Sequence, residues 1–220
     1  MDQAYCCREF DHNGLPRTLT CDPTCRHAKN SKQTGRIGDW IQTYSGRQYW
    51  PLDPRPADVN IVDIAHALSM TCRFAGHCNR FYSVAEHSVH VSYLVPEDDA
   101  MAALFHDAPE AYIHDITRPL KRNLPDYANI ERRNWLAIAA DFRLPDVLPK
   151  SVHDADTSML FAERDQLFTQ PTPAPWGLTD PGLARGVTIH AWDPVRAKQE
   201  FLMRAVNLLV LRTKGGQACA

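Results

Sequence analysis

The chain lacks any apolar run approaching the ~18 residues that span a bilayer, and its first residues, "MDQAYCCREF", lack the basic-then-apolar layout of a secretion signal. The expectation is a cytoplasmic protein with no membrane partner. It also lacks a dominant charge. Twenty-four Lys and Arg against 26 Asp and Glu leave a formal net charge of -2, too little to coat polymeric nucleic acid, so an anionic ligand would have to be met by a few local cations. A disulfide framework is missing too: the seven cysteines are an odd number, and without a secretion signal they read as thiols or metal ligands. What remains, 220 residues with 44% hydrophobic side chains, fills the core of one main domain.

Residues 1–37 show neither helical nor strand periodicity and form an irregular, Cys-rich extension; residues 38–220 form the body. The body opens with "WIQTYSGRQYWPLDPRP", a short hairpin turning at Ser45-Gly46 and stopped by Pro51, Pro54 and Pro56. Helices follow. In "NIVDIAHALSMTCRF", Ile61, Ile64, Ala65 and Leu68 recur at helical spacing behind an Asn60 N-cap. "YSVAEHSVHVSYLV" starts on Ser83-x-x-Glu86, a capping-box pattern, with His87 in the first turns. A third helix begins near Pro96 and reaches His106-Asp107, where Pro109 ends or bends it. "YANIERRNWLAIAADF" and "SVHDADTSMLFAERDQLF" give two more; the second carries Val152, Asp156, Met159, Leu160 and Glu163 on one face. A Pro- and Gly-rich loop, residues 169–186, precedes a last helix within 193–212. The fold class is all-α with a short N-terminal hairpin.

The stretch "AALFHDAPEAYIHDI" sets His106, Asp107, Glu110 and Asp115 into a segment that otherwise reads as buried helix. Burying charge without a partner or a metal costs several kcal/mol per group. Imidazole nitrogens and carboxylate oxygens together suit a divalent transition ion, and a mixed His/Asp set with open positions is a catalytic pattern. His87, His106, Asp107 and Asp156 could converge on one such ion from three helices.

The order His87, His106-Asp107, Asp156 resembles the HD-domain metal-dependent phosphohydrolases, an all-helical superfamily. "CRFAGHCNRFYSVAEHSVHVS", "LFHDAPEAYIHDITRPLKRNLPDY" and "DADTSMLFAERDQL" are similar to its 5'-deoxynucleotidase-like branch, which includes bacteriophage and prophage hydrolases. The likeness runs from about Trp40 to Phe168. It implies an HD-domain helical bundle in which His87, His106, Asp107 and Asp156 bind one divalent metal (Mn, Co, Zn or Fe) and Glu110 and Asp115 are acid/base carboxylates. Arg73 and Lys121 would contact phosphate, and Phe74 would meet the nucleoside. The implied substrate is a deoxynucleoside 5'-monophosphate. Release of triphosphate from a deoxynucleoside triphosphate such as dATP is the alternative within the class, and a non-catalytic metal-binding interaction module the alternative outside it. Such hydrolases commonly pair, so a homo-oligomer is expected.

Several residues compete for these roles. His90 reads as a solvated neighbour of His87, His66 as a core-edge residue, His77 as a turn residue able to approach the site, and His114 as a second literal His-Asp without the companion carboxylate. Asp154 lies two residues, about 200 degrees of helix, from Asp156 and cannot face the same ion. Glu163 and Arg164 read as an ion pair or dimer contact. Trp176 and Trp192, flanking the Pro-rich loop, read as packing residues. In the extension, Cys7, Cys21, Cys25 and His27 could form a structural zinc site, or remain thiols.

Overall fold

In the computed structural model, described over residues 35–217 with side chains to 212, helices dominate and the only strands among the described residues form one hairpin. The candidate zinc ligands Cys7, Cys21, Cys25 and His27 lie outside the described residues. Strands β1 (Ile41–Gln42) and β2 (Gln48–Tyr49) pair antiparallel, with Ile41 opposite Tyr49. Their turn is tied down by a carboxylate: Asp63 accepts from Ser45 N at 2.6 Å and from Ser45 Oγ at 2.8 Å.

Eight helical segments follow: α1 (Ile61–Met70), α2 (Val84–Tyr93), α3 (Ala100–Phe105), α4 (Glu110–Ile113), α5 (Arg118–Lys121), α6 (Pro125–Phe142), α7 (Lys150–Leu167) and α8 (Pro194–Gln217). Local chemistry fixes their starts. Asn60 Oδ1 accepts from Val62 N at 2.8 Å to cap α1, and Ser83 Oγ accepts from Glu86 N at 3.1 Å to cap α2. Pro125 and Pro194 begin α6 and α8, where a missing N–H costs nothing. The region around His106-Asp107 is not one helix with a bend. A 3₁₀ turn, Glu97–Asp99, leads into α3; the chain then turns through His106 to Pro109 and restarts as the single turn α4.

Helices α2 and α3 form a central layer buried on both sides. On one side Val84, Ala85, Met101, Leu104 and Phe105 pack with α1, α6 and α8. On the other, Val91, Ala102 and Ala103 pack with Val152, Ala155 and Met159 of α7. This sandwiching makes α3 apolar around its whole circumference, all six of its residues being buried. It also puts His87 of α2 at 0% exposure.

The second half of the capping box is not used as the pattern predicts. Glu86 does not return to Ser83; its buried carboxylate accepts from the backbone N–H of His190 (2.8 Å), Ala191 (2.9 Å) and Trp192 (2.6 Å), pinning the strap that leads into α8. Three convergent donors outbid one local one.

At the centre of the larger core, Phe201 of α8 is fully buried and meets Phe105 edge-on at 5.6 Å. Phe201→Ala should lower the unfolding free energy by about 3–5 kcal/mol in urea titration; a loss below 1 kcal/mol would contradict this placement of α8.

Candidate metal centre

The first half of the site comes from the central layer. His87 projects from the second turn of α2, and His106 caps the end of α3. Their Nε2 atoms stand 3.2 Å apart. Asp156 on α7 faces them, with Oδ1 3.2 Å from His87 Nε2 and 3.9 Å from His106 Nε2. One ligand atom from each of His87, His106 and Asp156 lies within 4.8 Å of the other two, so these three could hold a metal ion. Asp107 Oδ2 adds a fourth acceptor, 3.2 Å from His106 Nε2 and 3.7 Å from His87 Nε2.

The hydrogen bonds behind the two rings set their tautomers. His87 Nδ1 lies 2.5 Å from Glu163 Oε1, and His106 Nδ1 lies 2.7 Å from the Ala103 carbonyl. Carboxylate and carbonyl oxygens only accept, so each Nδ1 carries the hydrogen, and in a neutral ring each Nε2 presents its lone pair. Two lone pairs and two carboxylates then face one another. Nothing in that set can donate unless a proton or a cation enters it.

The electrostatics follow. Burial and the Arg73 charge push the His87 imidazolium down, but Glu163 and Asp156 pull harder, and its pKa is raised to about 9. Burial likewise depresses His106, and the carboxylates of Asp107 and Asp156 outweigh it. Burial pushes Asp156 up, whereas its bond to His87 and the imidazole charges bring it down to about 2. A divalent ion would take the place of the proton that this cluster captures.

Behind the ligands lies Glu163, at 0% exposure. Its carboxylate accepts from His87 Nδ1, from Tyr82 OH at 2.9 Å, and from Arg73, whose Nε lies at 3.2 Å and terminal nitrogen at 3.1 Å. Glu163 is therefore no exposed ion pair with Arg164, as its position on α7 had implied. Arg164 pairs with Asp165 instead. The signal was available: Glu163 lies seven residues, two helical turns, beyond Asp156 on the same face.

The remaining residues singled out from the sequence divide. Arg73 reaches the cluster, its guanidinium 3.5 Å from Asp107 Oδ2. Glu110 opens α4, and its Oε2 is buried with no hydrogen-bond partner among the described residues. Burial, then the charges of Asp107 and Asp115, hold its carboxyl well above the usual range. Asp115 follows His114, whose backbone is left-handed at φ 63 and whose side chain is exposed. Lys121 is engaged by Glu131 of α6, although its charge is still felt at Glu110. Phe74, in a 3₁₀ turn at φ 57, packs edge-on against Phe168 at 5.2 Å and lies near Trp176 at 6.3 Å.

Among the competitors, Asp154 points away and pairs with Lys150. His77 is exposed, and His66 stacks on Tyr44 at 3.8 Å. His90 is not solvated. It stacks with His190 and Trp192, and its Nε2 is buried without a hydrogen-bond partner among the described residues. The α2 pattern alone does not reveal that the strap before α8 covers it.

Fold and site together define an all-α protein with a partly buried His–His–Asp cluster able to hold a metal ion, and no helix among the described residues is long and apolar enough to cross a membrane. The chain matches no protein-family model. It is 47% identical over 128 residues to the uncharacterized protein YfdR of Escherichia coli (strain K12), a match covering 58% of this chain and 72% of YfdR. To the uncharacterized protein RCAP_rcc00048 of Rhodobacter capsulatus it is 34% identical over 194 residues, covering 80% of this chain and 98% of the relative. The chain belongs to the family of these two proteins.

A carboxylate that fixes a ligand's tautomer strengthens metal binding. Glu163→Gln should weaken the affinity for Mn or Zn by about 10–100-fold in competition with a chromogenic chelator. Unchanged affinity with intact fold would contradict the role of Glu163 behind His87.

Proposed function

We propose that this protein is a metal-dependent phosphohydrolase of the HD type, acting on nucleotide phosphate esters and most directly on a deoxynucleoside 5'-monophosphate. The observation that carries it is the meeting of His87, His106 and Asp156, with Asp107 beside them, together with the Glu110 carboxyl, whose Oε2 is buried with no hydrogen-bond partner among the described residues. A structural metal site has no use for a proton-holding carboxyl at its edge; hydrolysis does. Mixed imidazole and carboxylate donors fit Mn, Fe, Co or Zn.

Phosphate esters resist hydrolysis in water, so a site must position a nucleophile, neutralise developing oxyanion charge and protonate the leaving alkoxide. A divalent ion held by these ligands would supply the first two, acidifying water and polarising a phosphoryl oxygen. Burial and the charges of Asp107 and Asp115 push the Glu110 carboxyl above the usual carboxylate range, which suits it to give a proton to the leaving group. Asp115, on the far side of Glu110 in the chain, is suited to take one from water. Arg73 offers a guanidinium at the edge of the cluster, held in place by Glu163 and so presented to phosphate at little further cost in side-chain entropy. Lys121 would reach a phosphate only by exchanging its bond to Glu131. With these two cations already engaged by carboxylates, a single phosphate is easier to neutralise than three, which favours the monophosphate over a triphosphate-releasing reaction.

Incubating the Mn-, Co-, Zn- or Fe-loaded protein with each deoxynucleoside mono- and triphosphate and separating the products tests this. Free phosphate from a monophosphate is the expected product; intact triphosphate from dATP would move the assignment to the alternative reaction. Turnover with none of these ions would overturn the enzymatic account. Glu110→Gln should keep the metal and lower turnover by about 10²–10⁴-fold, while His106→Ala should lose both.

A further inference from the structure

Two cysteines flank Arg73 in a way the reaction does not require. Cys72 and Cys78 stand at the two ends of the short loop that carries Arg73, and their Sγ atoms lie 3.6 Å apart. Both are free, half-buried thiols. Cys78 Sγ also lies 3.8 Å from the Arg73 carbonyl, so the second thiol touches the backbone of the arginine itself. The loop is closed at its base by the Cys72–Ser83 bridge and the bond from Arg73 N to Tyr82 O at 2.9 Å. Between the cysteines the chain takes three left-handed residues in succession: Phe74 at φ 57, Ala75 at φ 50 and Gly76 at φ 79. For Phe and Ala this conformation is costly, so the segment is held by its surroundings rather than by its own preference.

We propose that Cys72 and Cys78 are a reversible thiol–disulfide pair, oxidised by a low-molecular-weight disulfide, and that closing the bond displaces Arg73 and so switches the site. The effect on activity rests on the hydrolase reading; the disulfide itself does not. A disulfide needs its sulfurs about 2.05 Å apart, and here they start 3.6 Å apart. Closure therefore requires about 1.5 Å of approach. The base of the loop, Cys72 and the Arg73 N–H included, is fastened by the β-bridge and the bond to Tyr82 O, so that movement falls on the Phe74–Cys78 segment and reaches Arg73 through the Cys78 sulfur on its carbonyl. Arg73 is bonded to Glu163 and lies 3.5 Å from Asp107, contacts that a shift of this size breaks or re-aims. The ligands His87, His106 and Asp156 lie outside the loop and keep their places.

The chemistry balances with oxidised glutathione as the oxidant. One cysteine thiolate attacks a glutathione sulfur, breaking its S–S bond and releasing one glutathione thiolate. The second cysteine thiolate attacks the mixed disulfide, forming the Cys72–Cys78 bond and releasing the other glutathione. The two protons lost by the cysteines are taken up by the two released thiolates, and two electrons pass from protein to glutathione. Burial and the neighbouring Cys72 thiol keep Cys78 protonated, so exchange is slow at neutral pH and the experiment runs at pH 8 for hours.

The fully reduced chain is incubated with excess oxidised glutathione, quenched in acid, alkylated and digested with trypsin without reductant. The expected product is the peptide Gln48–Arg73 joined to Phe74–Arg80 by a disulfide, split by dithiothreitol. Turnover of the oxidised protein should fall by about a hundredfold with unchanged metal content, return on reduction, and resist oxidation in Cys72→Ser and Cys78→Ser, both active when reduced. Recovery of Cys72 and Cys78 as separately alkylated thiols would overturn the pair. A disulfide that forms with no change in turnover would overturn the switch. Formation of the disulfide in a protein with no turnover in either state would leave the pair standing while refuting the hydrolase reading and, with it, the switch.

Discussion

Two imidazole nitrogens pointing at each other across 3.2 Å, each with its hydrogen committed behind it, are the constraint on which the site depends. Lone pairs so placed repel, and two carboxylates beside them add negative charge. Such an arrangement persists only if something positive sits among the four groups. A captured proton could satisfy it, in keeping with the raised His87 pKa, to which Glu163 behind the ring contributes first and Asp156 next; a divalent ion would satisfy all four at once. The hydrolytic chemistry that we propose follows from that demand.

The fold explains how the demand is enforced rather than relaxed. Helix α2 is buried on both sides of its layer, so His87 cannot swing outward to escape its neighbours. It is braced at two consecutive residues by buried carboxylates with opposite duties. Glu86 reaches away to fasten three backbone N–H groups of the strap before α8, and Glu163 reaches in to hold the ring of His87 together with Tyr82 and Arg73. The candidate metal cluster, the candidate phosphate-binding arginine and the packing of α7 on α2 thus share one carboxylate. That economy ties the electrostatics of the site to the integrity of the core.

What could be read in the sequence was what local chemistry writes into it. Asn60, Ser83 and the helix-starting prolines announce their helices; the hairpin at Ser45-Gly46 and the 3.6-residue spacing through α1, α6 and α7 do the same. The candidate ligands stood out because charged groups in an apolar stretch need a reason to be there. Long-range partners were not legible. Glu86 completes a local capping pattern yet serves a strap about a hundred residues later; Glu163 sits among exposed-looking charges yet is sealed in the core; Lys121 looks free but meets Glu131 one helix on. His90 appeared solvated because the residues that cover it, His190 and Trp192, belong to a segment without periodicity. In each case the winning interaction is tertiary, and neither propensity nor spacing encodes it. The one-turn helices α4 and α5 escaped notice for a related reason: four residues are too few to show a period.

The central claim is that His87, His106 and Asp156 share a cation, and anomalous diffraction tests it most directly. Crystals of the Mn- or Zn-loaded protein, measured at the absorption edge of the ion, should show a peak about 2.0–2.2 Å from both Nε2 atoms and from an Asp156 carboxylate oxygen. An ordered cluster with no peak among these atoms, or a peak elsewhere with the two imidazoles turned apart, would contradict the account.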